Sequence, residues 1–158
     1  DRVRTWRNDP YIKQFMLTSD TISQAQQLAW FESIDGQINQ QHFVIHYKNE
    51  PIGAINIKSL DSDALACASR IEPGMYIFDE RYRGNFLAFC PALLINDYCF
   101  SYLSCKSLLA RVLPTNTAAI KFNTALGYTQ IMSPSLLEMS LFPEDYALAN
   151  KKIKRFFR

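Results

Sequence analysis

Residues 74–87 have the sequence GMYIFDERYRGNFL, in which an apolar run meets a short basic turn that contains a glycine. The long apolar segment 87–103 follows, with Pro91 as its one strong breaker. This order predicts a strand, a turn and a helix. The first backbone N–H groups of a helix lack partners within it, and the helix dipole adds partial positive charge there. The turn is therefore predicted to bind an anion, with Arg81 and Arg83 adding charge.

The rest of the chain alternates predicted strands and helices. The first third predicts a helix over 1–8, a second from Thr21 or Ser23 to about Ile34, and a hairpin of strands 43–47 and 52–57. We expect the following later elements: a strand over 66–78 interrupted at Pro73-Gly74, a strand over 108–113, a helix over 115–126, an antiparallel pair over 128–131 and 136–142, and a terminal helix from Pro143. A strand–helix–strand–helix order next to a hairpin predicts a mixed α/β sheet with one parallel pair, 70–78 beside 107–113.

Composition indicates an ordinary globular domain. The chain has 158 residues, 48% hydrophobic and 20% charged, with a net charge of +2. This charge is too small to indicate nucleic-acid binding, and no uninterrupted apolar stretch is long enough to predict a membrane span. The four cysteines form no C-x-x-C pair, and the two histidines lie far from them, so we expect neither a metal site nor disulfides. A cytoplasmic protein is expected.

Two motifs carry a resemblance to a known family. Arg81-x-x-Gly84-x-Phe86 resembles the acetyl-CoA pyrophosphate loop of the GNAT N-acetyltransferases, Q/R-x-x-G-x-G/A, with Phe86 at the last small position. Residues 116–128, NTAAIKFNTALGY, are similar to that family's N-x-x-A-I-x-x-Y-x-x-L-G-F signature. The resemblance implies a single GNAT domain over 1–158, with a sheet of six or seven strands splayed at the parallel pair. It also implies that the family's first strand is missing from this chain.

The resemblance further implies an enzyme that uses acetyl-CoA. In the family, the strand before the loop separates from its parallel neighbour, and the pantetheine arm lies in the gap. The residues implied to bind the cofactor are Ile77, Phe78, Arg81, Arg83, Gly84, Asn85, Phe86, Leu87, Asn116 and Phe122.

Acetyl transfer to an amine needs a proton acceptor and a group that stabilises the leaving thiolate. Glu72 is the candidate base, because it lies on the strand expected to line the cleft; a strand-edge carboxylate in solvent is the alternative. Asn123 occupies the position where the family usually has tyrosine. It can donate a hydrogen bond to the thiolate but cannot transfer a proton to it. Tyr128, Ser104 and Cys105 are alternative acids, or structural residues.

The beginning of the chain resembles bacterial N-acetyltransferases that act on amino-sugar nucleotides, in particular those of pseudaminic acid synthesis. The resemblance lies in Trp6-Arg7-Asn8-Asp9-Pro10, Met16 and Trp30-Phe31-Glu32. It implies a small-molecule acceptor, the 4-amino group of a nucleotide-linked amino-deoxy sugar. The residues implied to bind it are Trp6, Arg7, Asn8, Met16 and Trp30. A ribosomal-type protein N-terminal acetyltransferase and a non-catalytic acyl-CoA-binding module are the alternatives, and a homodimer is left open.

Overall fold

The structure is a computed structural model that describes residues 1–131 and 136–155. Three helices come first: α1 (Arg2–Asn8), α2 (Pro10–Lys13) and α3 (Gln24–Ile34). Asp9 separates α1 from α2 and accepts hydrogen bonds from the first amides of α2, as an N-cap does. Of the two predicted caps of α3, Ser23 is the one used, in a capping box with Gln26.

Six strands form one mixed sheet in the order β1-β2-β3-β4-β6-β5. The strands are β1 (Gln40–Tyr47), β2 (Glu50–Ser59), β3 (Arg70–Ile77), β4 (Ser107–Val112), β5 (Thr129–Ile131) and β6 (Leu137–Leu141). All neighbours are antiparallel except β3 and β4, which are parallel. The mixed α/β fold with a central parallel pair is thus confirmed.

The β1–β2 hairpin turns at Lys48 and Asn49, which both have positive φ angles, 49° and 67°. Two consecutive left-handed residues give a turn whose twist matches that of the flanking strands. The predicted hairpin is therefore present. β1 begins earlier than expected and ends at Tyr47 as predicted, and β2 is longer than expected at both ends.

The parallel strands separate after two residues. Pairing between β3 and β4 is limited to Arg70 with Ser107 and Ile71 with Leu108. On the side of β3 that pairs with β2, the expected interruption at Pro73-Gly74 is wrong, since the register with β2 is continuous from Ile71 to Ile77. The start at residue 66 is also wrong, because β3 begins at Arg70 and a short 3-10 turn precedes it.

Pro73 explains why only one side of β3 opens. The Phe78 amide donates to Ile52 of β2, so by alternation the even-numbered backbone groups of β3 face β2. The odd-numbered groups face β4, as shown by Ser69, whose carbonyl accepts from the start of β4. Pro73 faces β4 without an N–H, and the parallel ladder cannot continue through it.

Helices cover the sheet and close the core. They are α4 (Phe89–Asp97), α5 (Thr117–Ala125) and α6 (Pro143–Lys154). The predicted single helix over 87–103 is in fact a 3-10 turn over Phe86–Ala88, then α4, then a π-helical segment over Tyr98–Tyr102. Ile57, Ile71, Leu108 and Met139 are fully buried between the sheet and these helices. No helix within residues 1–131 and 136–155 is long and apolar enough to cross a membrane.

Candidate active site

A cavity of about 780 Å³ occupies the gap between β3 and β4. Because the strands separate, it is lined from both faces of the sheet. One end is formed by α1, α2 and the segment after α2, and the other by α4 and α5. We call these the front end and the back end. An acyl donor and an acceptor can thus enter from opposite faces and meet between the strands.

The turn predicted to bind an anion lies at the mouth of the back end. Arg83, Gly84 and Asn85 line the cavity, whereas Arg81 does not. Gly84 has a φ of 63°, a left-handed conformation that glycine adopts without strain. The Asn85 side chain accepts from the Leu87 amide at 3.0 Å and so caps the 3-10 turn that leads into α4.

The two arginines of the turn have structural partners. Arg81 bonds to Asp79 and Glu50, each at 2.6 Å, and this contact lowers the pKa of the Asp79 carboxyl. Arg83 donates to the Ile77 carbonyl at 3.3 Å and to the Phe78 carbonyl, and its guanidinium lies 4.0 Å from the centre of the Tyr11 ring. Arg83 therefore connects the turn, the end of β3 and α2 on the cavity wall, while Arg81 holds the outer side of the turn.

Along the gap, the backbone groups of β3 that face away from β2 belong to the odd-numbered residues. Ile77 lines the cavity, and its carbonyl accepts the hydrogen bond from Arg83. Phe78 does not line it, and its amide bonds to β2. Met75, which the sequence analysis did not identify, faces the gap and lines the cavity. Strand alternation would have identified Met75 once the register with β2 was known.

Glu72 lies at the point where the strands separate, and it lines the cavity. The Arg111 guanidinium of β4 donates to both of its carboxylate oxygens, with Nε 2.8 Å from Oε1. These hydrogen bonds raise the pKa of Arg111. Lys58 of β2 is the cross-strand partner of Glu72 and also lines the cavity. Glu72 is therefore a carboxylate already bonded to a guanidinium, and its role as the base stays a prediction.

α5 brings Asn116, Phe122 and Asn123 to the back end. The Asn116 side chain caps the helix by accepting from the Ala119 amide at 3.1 Å. Phe122 packs on Phe89 of α4 with ring centres 4.6 Å apart, and Phe86 packs on Phe89 in turn. Among the described residues, the one side-chain contact of Asn123 is a long one, 3.9 Å from its Nδ2 to the sulfur of Met139. Its carboxamide is thus available to a ligand in the cavity.

Among the alternative acids, Tyr128 lines the back end, and burial raises its pKa well above the ordinary value. Cys105 is buried away from the lining, and burial raises its thiol pKa to about 11. Ser104 is exposed outside the cavity. Of the three, only Tyr128 is in a position to meet a ligand.

The predicted acceptor residues separate into two groups. Arg7 and Met16 line the front end. Trp6 does not line the cavity: it is buried and stacks on Phe78, with ring centres 5.5 Å apart, and so packs α1 against the end of β3. Asn8 exchanges two hydrogen bonds, both 2.8 Å, with the backbone of Ile22 and connects α1 to the segment before α3.

Trp30 lies outside the cavity. It is 39% exposed on α3 and packs edge-on against His42 of β1 at 5.1 Å. Burial beside α3 lowers the pKa of His42.

Tyr76 is a second front-end residue that the sequence analysis did not identify. Its hydroxyl and the Nε of Arg7 are buried, and neither has a hydrogen-bond partner within the described residues. Burial raises the pKa of Tyr76 to about 12, and the charge of Arg7 opposes this rise. Two unpaired donors that line the same wall suit an oxyanion or carbonyl of a ligand.

The back end fits coenzyme A. At its mouth, Arg83 and Lys121 supply positive charge on the lining. Beyond the mouth, the backbone of Met75 faces the gap without a β4 partner among the described residues, so a chain that contains amides could bond to it as a neighbouring strand would. Bound there, acetyl-CoA would supply an activated acyl group.

Comparison with known proteins agrees with this geometry. Residues 1–129 match the family model for the acetyltransferase (GNAT) domain. No curated protein sequence matches the chain at a significant level.

Solved structures share the fold at low sequence identity. An uncharacterized protein from Bacillus halodurans is 14% identical with a TM-score of 0.83, over 98% of this chain and 84% of that one. Spermidine N-acetyltransferase from Vibrio cholerae, in complex with CoA and spermine, is 13% identical with a TM-score of 0.77, over 92% and 90%. Aminoglycoside acetyltransferase AAC(6')-Ib, in complex with coenzyme A, is 13% identical with a TM-score of 0.75, over 94% and 92%. With the family model matching most of its length, the chain belongs to the GNAT family of acetyl-CoA-dependent acetyltransferases.

Proposed function

We propose that this protein transfers the acetyl group of acetyl-CoA to the primary amine of an anionic small molecule, the 4-amino group of a nucleotide-linked amino-deoxy sugar. The observation that carries the proposal is the charge of the cavity wall. Among the described residues, five cationic side chains line the cavity and Glu72 is the one carboxylate. The five are Arg7, Lys58, Arg83, Arg111 and Lys121.

These charges are divided between the two ends. Lys121 belongs to the back end, and Arg83 lies at its mouth, where it also contacts Tyr11 of the front end. Arg7 lies at the front end, and Lys58 and Arg111 lie where β3 and β4 separate, where no part of the donor explains them. Glu72 forms an ion pair with Arg111. An acceptor that carries phosphates would be attracted to this end, and positive charge focused in a cleft also speeds its association.

The same charges oppose a polycationic acceptor. The Vibrio cholerae neighbour was solved with spermine, and a polyamine requires carboxylates on the wall that receives it. Here a polyamine would face Arg7, Lys58 and Arg111. A basic protein N-terminus is disfavoured as the acceptor for the same reason, and the sugar nucleotide is preferred to it.

For the transfer itself, the chain contributes positioning and proton removal. Glu72 accepts the proton of the attacking amine through a water, and Arg111 holds that carboxylate at the gap by two hydrogen bonds. Asn123 orients the sulfur of the leaving group by a hydrogen bond. The apolar side chains of Phe89, Phe122 and Leu126 on the back-end wall reduce the access of water to the thioester.

The decisive experiment is a thiol-release assay with acetyl-CoA against UDP- and dTDP-linked 4-amino sugars, peptides and polyamines. Turnover of the sugar nucleotides is expected. Arg7→Gln should then raise the KM of the acceptor about tenfold or more and leave the KM of acetyl-CoA unchanged, since a charge-assisted contact is lost. Arg4→Gln is the matched control, because Arg4 lies on the same helix outside the cavity lining. Turnover of peptides or polyamines alone would overturn the proposed acceptor.

A further inference from the structure

Asn96 is a buried carboxamide on the wall of the back end that neither motif includes. Its side chain is 2% exposed and lines the cavity together with Ala92 and Ile95 of the same helix. Its Nδ2 is buried and has no hydrogen-bond partner within residues 1–131 and 136–155. A buried N–H without an acceptor destabilises the protein, and such a group in a native structure needs an explanation.

The orientation of Asn96 is held from the opposite side of α4. The Tyr146 hydroxyl of α6 lies 2.7 Å from Oδ1 of Asp97 and 3.1 Å from the Leu93 carbonyl. These contacts fix α4 against α6 at the residues that flank Asn96. The carboxamide is thereby kept facing the gap, and the helix cannot rotate it toward another partner.

Asn96 lies on the same face of α4 as the residues near the anion-binding turn. Ala88, Ala92 and Asn96 are spaced by four residues and all line the cavity. Since a helix rises 1.5 Å per residue, Asn96 is about 12 Å further into the cavity than Ala88. A ligand whose phosphates lie at the turn would reach Asn96 with its distal part.

We propose that Asn96 donates a hydrogen bond from Nδ2 to a carbonyl oxygen of the acyl-CoA arm and so fixes the depth to which the arm enters. The arm offers amide carbonyls and, when acylated, the thioester carbonyl, which share this acceptor chemistry. Asn123, on the facing helix, then remains available to the sulfur. The inference rests on the use of acetyl-CoA in the proposed function and is independent of the acceptor.

The test measures binding without an acceptor, so that a wrong acceptor assignment cannot affect it. Asn96→Leu keeps the volume and removes the donor. We expect calorimetry to show acetyl-CoA, which carries both kinds of carbonyl, bound about threefold to tenfold more weakly, the worth of one hydrogen bond. We also expect the thermal midpoint of the free protein to be equal or higher, because an unpaired buried N–H has been removed.

Two arms identify the carbonyl. Equal weakening of CoA and acetyl-CoA assigns the bond to an amide of the arm, and weakening of acetyl-CoA alone assigns it to the thioester. Asn150→Leu is the matched control, since the Asn150 Oδ1 is also buried and unpaired within the described residues but lies outside the cavity. Its CoA affinity should not change.

A structural role for Asn96 predicts the opposite pattern. A lower thermal midpoint with unchanged affinity for CoA and acetyl-CoA in Asn96→Leu would overturn the proposal. If this variant fails to fold, NMR of the unaltered protein decides: the Asn96 side-chain amide protons should shift downfield when CoA is added. Unshifted resonances at saturating CoA would reject the hydrogen bond.

Discussion

Replacing Glu72 with glutamine distinguishes a proton acceptor from a purely structural ion-pair partner. The Glu72 side chain is 18% exposed and that of Arg111 is 37% exposed, so the pair is only partly removed from water. Such a pair contributes about 1 kcal/mol or less to stability. Glutamine leaves the guanidinium one neutral acceptor, and we therefore expect the free energy of unfolding in denaturant to fall by no more than this amount.

The expected effect on catalysis is larger. A positioned general base is worth about a hundredfold in rate or more, which corresponds to about 2.7 kcal/mol of activation free energy. If the Glu72 carboxylate accepts the proton of the amine, Glu72→Gln lowers kcat/KM by at least that factor. The pH–rate profile of the variant should also differ from that of the unaltered protein.

Glu138→Gln is the matched control for this change. Glu138 of β6 is the cross-strand partner of Arg111 of β4, yet it does not line the cavity. The Glu138→Gln substitution removes a carboxylate from the surroundings of the same arginine. It should leave both kcat/KM and the pH–rate profile unchanged. The reasoning is refuted if Glu72→Gln retains the kcat/KM and pH–rate profile of the unaltered protein.

Two further predictions concern stability. Burial raises the pKa of Tyr76 to about 12, so the fold favours its neutral phenol; that stabilisation is complete below pH 10 and is lost as the pH rises to 12. Tyr76→Phe should therefore give a shallower alkaline loss of stability in denaturant titrations, and an equally steep loss would contradict it. Gly127 has a φ of 99°, and a Cβ there would lie 2.9 Å from the Asp145 carbonyl oxygen, so Gly127→Ala should cost about 1–3 kcal/mol. Gly36→Ala, with a φ of 73° and open space around it, should cost less, and equal losses would show that the contact with Asp145 is unimportant.

Local chemistry made most of the fold predictable. Ser23 begins α3 and Gly127 follows α5 in a left-handed conformation, because these signals act over a few residues. The order of strands and helices likewise predicted the parallel pair. The start of β3 was not predictable, since no proline or glycine separates Ala66 from Arg70 and only pairing with β2 and β4 decides where the strand begins.

The candidate site was predictable in outline only. Of the turn over 81–87, Arg83, Gly84 and Asn85 line the cavity whereas Arg81, Phe86 and Leu87 do not, and Asn116 at the opening of α5 lines it too. Phe78 and Trp30 do not line it, because strand alternation turns the Phe78 amide toward β2 and α3 packs Trp30 on β1. Met75 and Tyr76 carry no motif, and they became visible only once the alternation of β3 was known.

By itself, the sequence determined the family, the element order and the chemistry of the turn, because each depends on residues close together in the chain. Tertiary structure decided which polar atoms are left without partners. Arg81 is engaged by Glu50, which lies 31 positions earlier, and is drawn away from the cavity. The amide of Asn96 is unpaired because α6 fixes the rotation of α4 and the strands beside it have separated. Hydrogen-bond partners distant in sequence are set by packing, and no local pattern records them.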